Sequence, residues 1–282
     1  MDMQKKVLAI NDISCAGRCS LTVALPILSA AGLETRILPT AILSTHTGGF
    51  EGYTFLDFTD EMMKIADHWK SLDLKFDAIY TGYLGSGRQI DIVSDIIDMF
   101  RDEHTLVYVD PVMGDGGALY AGFNENFPKG MARLCGKADI IVPNITEASL
   151  MLGERYIDKG YDRRYIESLA AKLGDLGPEK IVISGVAFNE GEIGCCVYDS
   201  KSGRAEYGFT DFVATLYHGT GDVFGSALLG AYMSGKSLME SAEIAMRYTR
   251  DSIYKTSRAS SEKRFGVEFE TGLGWLADKV NN

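Results

Sequence analysis

One stretch of this 282-residue chain constrains its fold and chemistry more than any other: His218-Gly219-Thr220-Gly221-Asp222-Val223-Phe224-Gly225-Ser226-Ala227-Leu228-Leu229. It reads as a glycine-rich turn running straight into an apolar helix. Glycine lets a backbone turn tightly and approach a ligand closely. The first amides of the following helix have no partner within it and lie at the positive end of its dipole, so the turn makes a seat for an anion. Asp222 stands at that seat, and a carboxylate there has two readings. It can cap the helix, or it can be a general base held beside phosphate charge. The bare pattern supports both about equally.

A composition of 46% hydrophobic and 24% charged residues is ordinary for a globular protein, and the length suits one large α/β domain or two small ones. The net charge of −11 argues against a basic nucleic-acid-binding face. Anionic substrates would then need a locally positive pocket. No run approaches the ~20 apolar residues of a membrane span. The first ten residues read as a charged start and a short strand, with no signal peptide expected. The five cysteines, Cys15, Cys19, Cys135, Cys195 and Cys196, are an odd count that disfavours a disulfide framework. Cys15 and Cys19 could share a helix face, but no second ligand pair accompanies them, so zinc is disfavoured. Cys195-Cys196 sits in a strand-like run and reads as packing. A reduced, cytoplasmic setting is expected.

Short apolar runs alternate with amphipathic segments, the pattern of a parallel sheet covered on both faces. Strands are expected at residues 7–11, 35–38, 78–80, 106–109, 139–142 and 181–183. Helices are expected at 21–31, 61–72 and 90–100. Segments 193–198 and 204–209, joined by Asp199-Ser200-Lys201-Ser202-Gly203, read as an antiparallel hairpin at the sheet edge. A long helix is expected over 238–257, with the polar stretch 251–264 as a loop or frayed end, and a docked terminal helix over 270–280. Neither a repeat nor a linker is evident, so residues 1–282 are read as one domain. Ligands of open parallel sheets bind beyond the carboxyl ends of the strands. Asn11-Asp12, Gly82-Tyr83, Asp110, Asn144 and Ser184 each follow an expected strand and should line one edge with the Gly219 turn.

Two further motifs have plain alternatives. Val109-Asp110-Pro111-Val112-Met113-Gly114-Asp115 is either turn chemistry or a carboxylate contact to metal or nucleotide phosphate. Val142-Pro143-Asn144-Ile145-Thr146-Glu147 is either a helix cap with Glu three residues on, or part of a site.

Taken together, Gly-Thr-Gly-Asp before a small-residue helix, Asp-Pro-Val-Met-Gly, Pro-Asn-x-x-Glu and Gly-Tyr-Leu-Gly-Ser resemble the motifs of the vitamin kinases within the ribokinase-like superfamily. That branch holds pyridoxal/pyridoxine/pyridoxamine kinases and hydroxymethylpyrimidine kinases. The resemblance runs from residue 7 to the helix after Asp222. It implies a three-layer sandwich, with a mostly parallel sheet between helices and a small antiparallel edge hairpin. Within the branch, Ser44-Thr45-His46-Thr47, Gly82-Tyr83 and Asp222-Val223 resemble the pyridoxal type. Asp12-Ile13-Ser14 instead resembles the Asp-Pro-Ser of hydroxymethylpyrimidine kinases, and a carboxylate there could pair with a protonated ring nitrogen or an amino group. Ser184 stands where some pyridoxal kinases have a lysine. The glycine-rich segment of sugar kinases is absent.

The resemblance implies ATP-dependent phosphorylation of a B6 vitamer, with hydroxymethylpyrimidine kinase as the alternative enzyme and a non-catalytic binding protein as the alternative of another class. It makes Asp222 the base and Gly219, Thr220 and Gly221 the anion hole. Asp12, Ser14, His46, Thr47 and Tyr83 would contact the vitamin. Asp110, Val142, Asn144, Glu147, Ser184, Tyr207, Gly208, Phe209 and Thr210 would surround ATP, with adenine near the hairpin and the helix after Gly225. Asp110 and Glu147 would position magnesium, partly through water. Magnesium or a monovalent cation would carry the charge that the missing lysine does not. A homodimer is implied, with neither nucleic acid nor membrane as partner.

Overall fold

The unbroken apolar run Val7-Leu8-Ala9-Ile10 suits a strand buried on both faces, and none of the four is more than 1% exposed. Their side chains alternate between the two layers of the core, Val7 and Ala9 to one and Leu8 and Ile10 to the other. The computed structural model describes residues 4–215, 217–259 and 262–281.

The chain opens with β1 (Lys6–Ala16), α1 (Leu21–Ala30), β2 (Glu34–Thr45), β3 (Phe55–Asp57) and α2 (Thr59–Ser71). It continues through β4 (Ala78–Thr81), α3 (Gly87–Phe100), β5 (Leu106–Val109), β6 (Gly114–Asp115), β7 (Ala118–Leu119), α4 (Phe127–Cys135), β8 (Ile140–Ile141) and α5 (Ile145–Leu152). It closes with α6 (Arg163–Gly174), β9 (Lys180–Val186), β10 (Glu192–Asp199), β11 (Arg204–Asp211), α7 (Thr220–Met233), α8 (Leu238–Arg258) and α9 (Leu273–Asn281).

Nine strands form one sheet in the order β11-β10-β9-β8-β5-β4-β1-β2-β3. The pairs from β2 to β9 along this order are parallel, while β10 with β9 and β11, and β3 with β2, are antiparallel. Helices α1, α7, α8 and α9 cover one face. Helices α2 to α6 cover the other. This is the three-layer sandwich with an edge hairpin that the sequence led us to expect.

Several expectations need correction. Strand β1 runs on to Ala16, so Asn11 and Asp12 lie within it, at an irregularity in its pairing with β2 between Asn11 and Ile13. Cys15 therefore lies within a strand, one residue before its end, and Cys19 lies in the following loop, so they share no helix face. Ser184 likewise lies inside β9. Residues 251–258 are helical, because Ser252 and Thr256 donate their hydroxyls to the carbonyls four residues earlier and are buried. Polar side chains satisfied inside their own helix do not end it. Residues 260–261 of that stretch lie outside the described residues. Helices α4 and α6 add to the sequence reading. No described helix is long and apolar enough to cross a membrane.

Candidate active site

A cleft of about 490 Å³ opens along the sheet edge where β5, β8 and β9 meet the 218–222 turn. Gly219 takes φ +79°, and a Cβ there would stand 2.0 Å from the Arg18 carbonyl oxygen. Only glycine fits. Helix α7 begins at Thr220, so Gly219 is its N-cap, and no side chain caps it. Gly221 is exposed, with open space where its Cβ would be, and it lines the cleft.

Asp222 does not cap α7. Its Oδ2 accepts the Ser20 N–H at 2.9 Å, and its Oδ1 lies 3.5 Å from Asn11 Nδ2. Ser20 reaches this position with φ 59° and ψ −131°, a conformation that residues other than glycine seldom adopt. The carboxylate sits half-buried at the cleft floor. Burial pushes its pKa up to about 6, the Ser20 N–H works against that rise, and the charge of Asp12 adds to it.

Two more acids lie deeper. Asp110, 6% exposed, follows β5, and burial, Glu147 and Asp222 hold its pKa well above the usual carboxylate range. Glu147 is pushed up to about 7, chiefly by burial. Its Oε1 accepts the Met113 N–H at 3.0 Å and its Oε2 the Asn144 N–H at 2.9 Å. Asn144 Oδ1 accepts the Glu147 N–H in return, which completes a capping box on α5. The capping reading of that motif is therefore true, and both residues still line the cleft.

Both oxygens of Glu147 already serve backbone amides, so it is a poorer direct metal ligand than the sequence suggested. Asp110 is a hard oxygen donor, buried and facing the charges of Glu147 and Asp222. That donor set fits magnesium, which is commonly held by one or two carboxylates together with phosphates and water. Among the described residues, no group of three or more His, Cys, Asp or Glu could cage a metal alone.

On the other side of Asp222, Asp12 is 5% exposed, Ser14 Oγ donates to its Oδ2 at 3.2 Å, and burial raises its pKa. Tyr83 is half-buried, with its phenol pushed up to about 12, mainly by burial. His46 is buried. Its Nδ1 accepts the Gly48 N–H, which leaves Nε2 to donate to the Arg264 carbonyl oxygen at 2.6 Å. Its ring lies 4.9 Å from that of His218. His46 thus ties three loops together as a neutral structural residue, and burial lowers its pKa. Thr47 is exposed.

Val142, Asn144, Ser184 and Thr210 line the cleft as expected, but Tyr207, Gly208 and Phe209 do not. Strand alternation explains the difference. Tyr207 faces α6, where its hydroxyl donates to Glu167 at 3.1 Å and the Arg163 guanidinium lies over its ring. Phe209 lies on the same side, against Phe188. Gly208 is covered by Met239 and Met246 of α8. The lining continues instead through Asp211, Phe212 and Thr215 and through Met246, Thr249 and Arg250. Arg250 is the one lysine or arginine among the described lining residues, and it is paired with Asp211 and Asp251. It adds little net positive charge in place of the lysine missing at Ser184. Ser20 and Arg250 were absent from the expected site, while Asn11 and His218 were expected beside it but carried no role. The contacts of Ser20 and Asn11 with Asp222 depend on backbone geometry more than 200 residues away and leave no local signal.

A three-layer α/β sandwich with a glycine turn, an uncapped carboxylate and two buried acids along one sheet edge defines a ribokinase-like small-molecule kinase. The chain belongs to the phosphomethylpyrimidine kinase family, whose profile matches residues 27–266. A Bacteroides thetaiotaomicron protein assigned to the phosphomethylpyrimidine kinases is 40% identical, with a TM-score of 0.94 over 98% of this chain and 94% of that one. A second crystal form of that protein contains pyridoxal, with a TM-score of 0.92. The pyridoxal kinase of Lactobacillus plantarum is 29% identical over 98% of both chains, with a TM-score of 0.89. The pyridoxine/pyridoxal/pyridoxamine kinase of Bordetella avium is 26% identical over 90% of this chain and 86% of its own.

Proposed function

We propose that this chain transfers the γ-phosphoryl group of ATP to the hydroxymethyl oxygen of a B6 vitamer, giving the 5′-phosphate in vitamin B6 salvage. The observation that carries the reading is the placement of Asp222: off its helix, oriented by the Ser20 N–H, and beside an open amide turn at the cleft floor. The acceptor hydroxyl lies against Asp222, which takes its proton as the oxygen attacks. Amides of residues 219–221 stabilise charge on the transferring group. Asp110 would hold magnesium, and Glu147 beside it would add negative charge to that site. When bound, magnesium neutralises charge on the phosphate oxygens. A monovalent cation is a further candidate for the same task. Tyr83 offers its ring to the flat heterocycle. Asp12, buried and bonded to Ser14 with no Lys or Arg beside it among the described residues, pairs with a protonated nitrogen of the vitamer. We further infer a single kinase domain over residues 1–282, a homodimer, and work in the cytoplasm, where the five free thiols would stay reduced.

The pyridine acceptor is preferred to a pyrimidine because the 40%-identical relative was crystallised with pyridoxal. Asp12-Ile13-Ser14 and the family's own name keep hydroxymethylpyrimidine as the second reading. The test is ADP release from ATP-Mg with pyridoxal, pyridoxamine, pyridoxine and hydroxymethylpyrimidine in parallel. Turnover on the pyridines with little on the pyrimidine is expected. Preference for the pyrimidine overturns the acceptor assignment, and ligand binding without ADP overturns the kinase reading.

A further inference from the structure

Asn11 is 2% exposed and sits at the irregular point of β1. Its Oδ1 accepts two backbone N–H groups, from Asp12 at 2.9 Å and from Tyr83 at 2.8 Å. Because both partners are donors, that atom must be the carbonyl oxygen, and the amide cannot be flipped. Nδ2 is therefore a donor, and it points at Asp222 Oδ1 from 3.5 Å. That is long for a hydrogen bond, as contacts to catalytic groups often are before substrate binds. Room for the side chain comes from Gly82 at the end of β4, where a Cβ would lie 2.2 Å from Nδ2. Glycine there is thus explained by Asn11 and not by a turn.

We propose that Asn11 is a positioning residue for phosphoryl transfer: one rigid amide holds the Tyr83 backbone and the Asp222 carboxylate in a fixed relation and favours the ionised form of that carboxylate. The inference rests on the reading of Asp222 as the base. Other titratable groups also face Asp222. Asp12 and Cys19 lie on the β1 side, Tyr80 on β4, Asp110 after β5 and Tyr120 after β7. None of them supplies positive charge. The Ser20 N–H and the Asn11 amide are the donors that oppose their sum.

Asn11→Asp separates the structural from the electrostatic role. It keeps an oxygen for the Asp12 and Tyr83 amides while replacing the donor with a carboxyl group. The measurement is kcat and KM for pyridoxal against pH, with ATP-Mg saturating. The acid limb should move about one pH unit or more to higher pH, with kcat at neutral pH falling roughly tenfold or more and recovering at alkaline pH. KM for ATP, measured separately with pyridoxal saturating, should stay within about twofold. Asn11→Ala, which removes the donor without adding charge, should move the limb the same way by less and stands in if Asn11→Asp does not fold. An acid limb at the wild-type position in both variants, or in the one that folds, overturns the proposal. Wild-type turnover in Asp222→Asn would instead overturn the base assignment beneath it.

Discussion

Asp222→Asn should trade activity for stability. Burial outweighs the two hydrogen bonds that Asp222 receives and lifts its pKa from 3.8 to about 6. At pH 8 the ionised carboxylate therefore costs the fold energy. A shift of about two units corresponds to about 3 kcal/mol. That is a ceiling, since water in the cleft screens a half-buried group. Asparagine keeps its one oxygen for the Ser20 N–H, so the turn should hold, while its NH2 then faces the Asn11 Nδ2 donor and gives back part of the gain. We expect the melting temperature at pH 8 to stay level or rise, by up to roughly 6–10 °C at that ceiling. Turnover should fall by about 10²–10⁴, the usual contribution of a positioned base. The assays are differential scanning calorimetry of the apo protein at pH 8 and ADP release with pyridoxal. ATP binding, followed by calorimetry, should be unchanged. A melting temperature several degrees below wild type would refute the burial argument. Turnover within about threefold of wild type would refute the base, since loss of general-base catalysis costs far more.

Glycine at positions 219 and 221 answers different demands. Gly219→Ala meets the Arg18 carbonyl at 2.0 Å with positive φ and should lose about 3 kcal/mol or more, read as soluble yield and melting temperature. Gly221→Ala should fold as wild type but raise KM for ATP roughly tenfold, because its methyl enters the phosphate seat. Equal stability of the two variants would contradict the turn geometry. Wild-type kcat/KM should fall on the acid side with a midpoint near 6, where Asp222 takes up its proton, and a midpoint near 4 would place the base in open solvent. Asp222 and Glu147 have folded-state pKa values above their unfolded ones. The folded state holds those protons longer, so their stabilising contribution is complete below about pH 4 and is lost as pH rises through 6 to 7. Apo melting temperature should fall over that window, and magnesium with ATP should raise it more at pH 8 than at pH 5.5; an equal rise at both would count against Asp110 and Glu147 as the cation's partners. Asp12→Asn should cost about 10–100-fold in kcat/KM for a vitamer that binds protonated, and unchanged selectivity among the four acceptors would remove Asp12 from the recognition of charge.

The layers of this fold were legible in the sequence because strands and helices buried in a parallel sandwich carry their own periodicity. Residues 7–10 and 106–109, the helix at Ile90 to Phe100, and the turn at Gly219 are local patterns, and each stands where its pattern put it. Asp110, Asn144, Glu147 and Asp222 all line the cleft; local chemistry left each of them open between a site and plain capping or turn formation, and it was the resemblance to the vitamin kinases that assigned them to the site. Other features were decided by contacts between segments far apart in the chain. Alternation along β11 turns Tyr207 and Phe209 away from the cleft, and only the position of the hairpin beside α6 reveals which face is which. The sequence left His46 open between a contact to the substrate ring and a structural residue, and only the fold shows that the Arg264 carbonyl, 218 residues away, accepts its proton. Asp222 is freed from capping its helix because a strained Ser20 presents its amide from the other end of the chain. Periodicity and turn chemistry act over a few residues and survive in the sequence. A hydrogen bond across the sheet edge depends on where two strands end and on their register, and that information exists only once the sheet has formed.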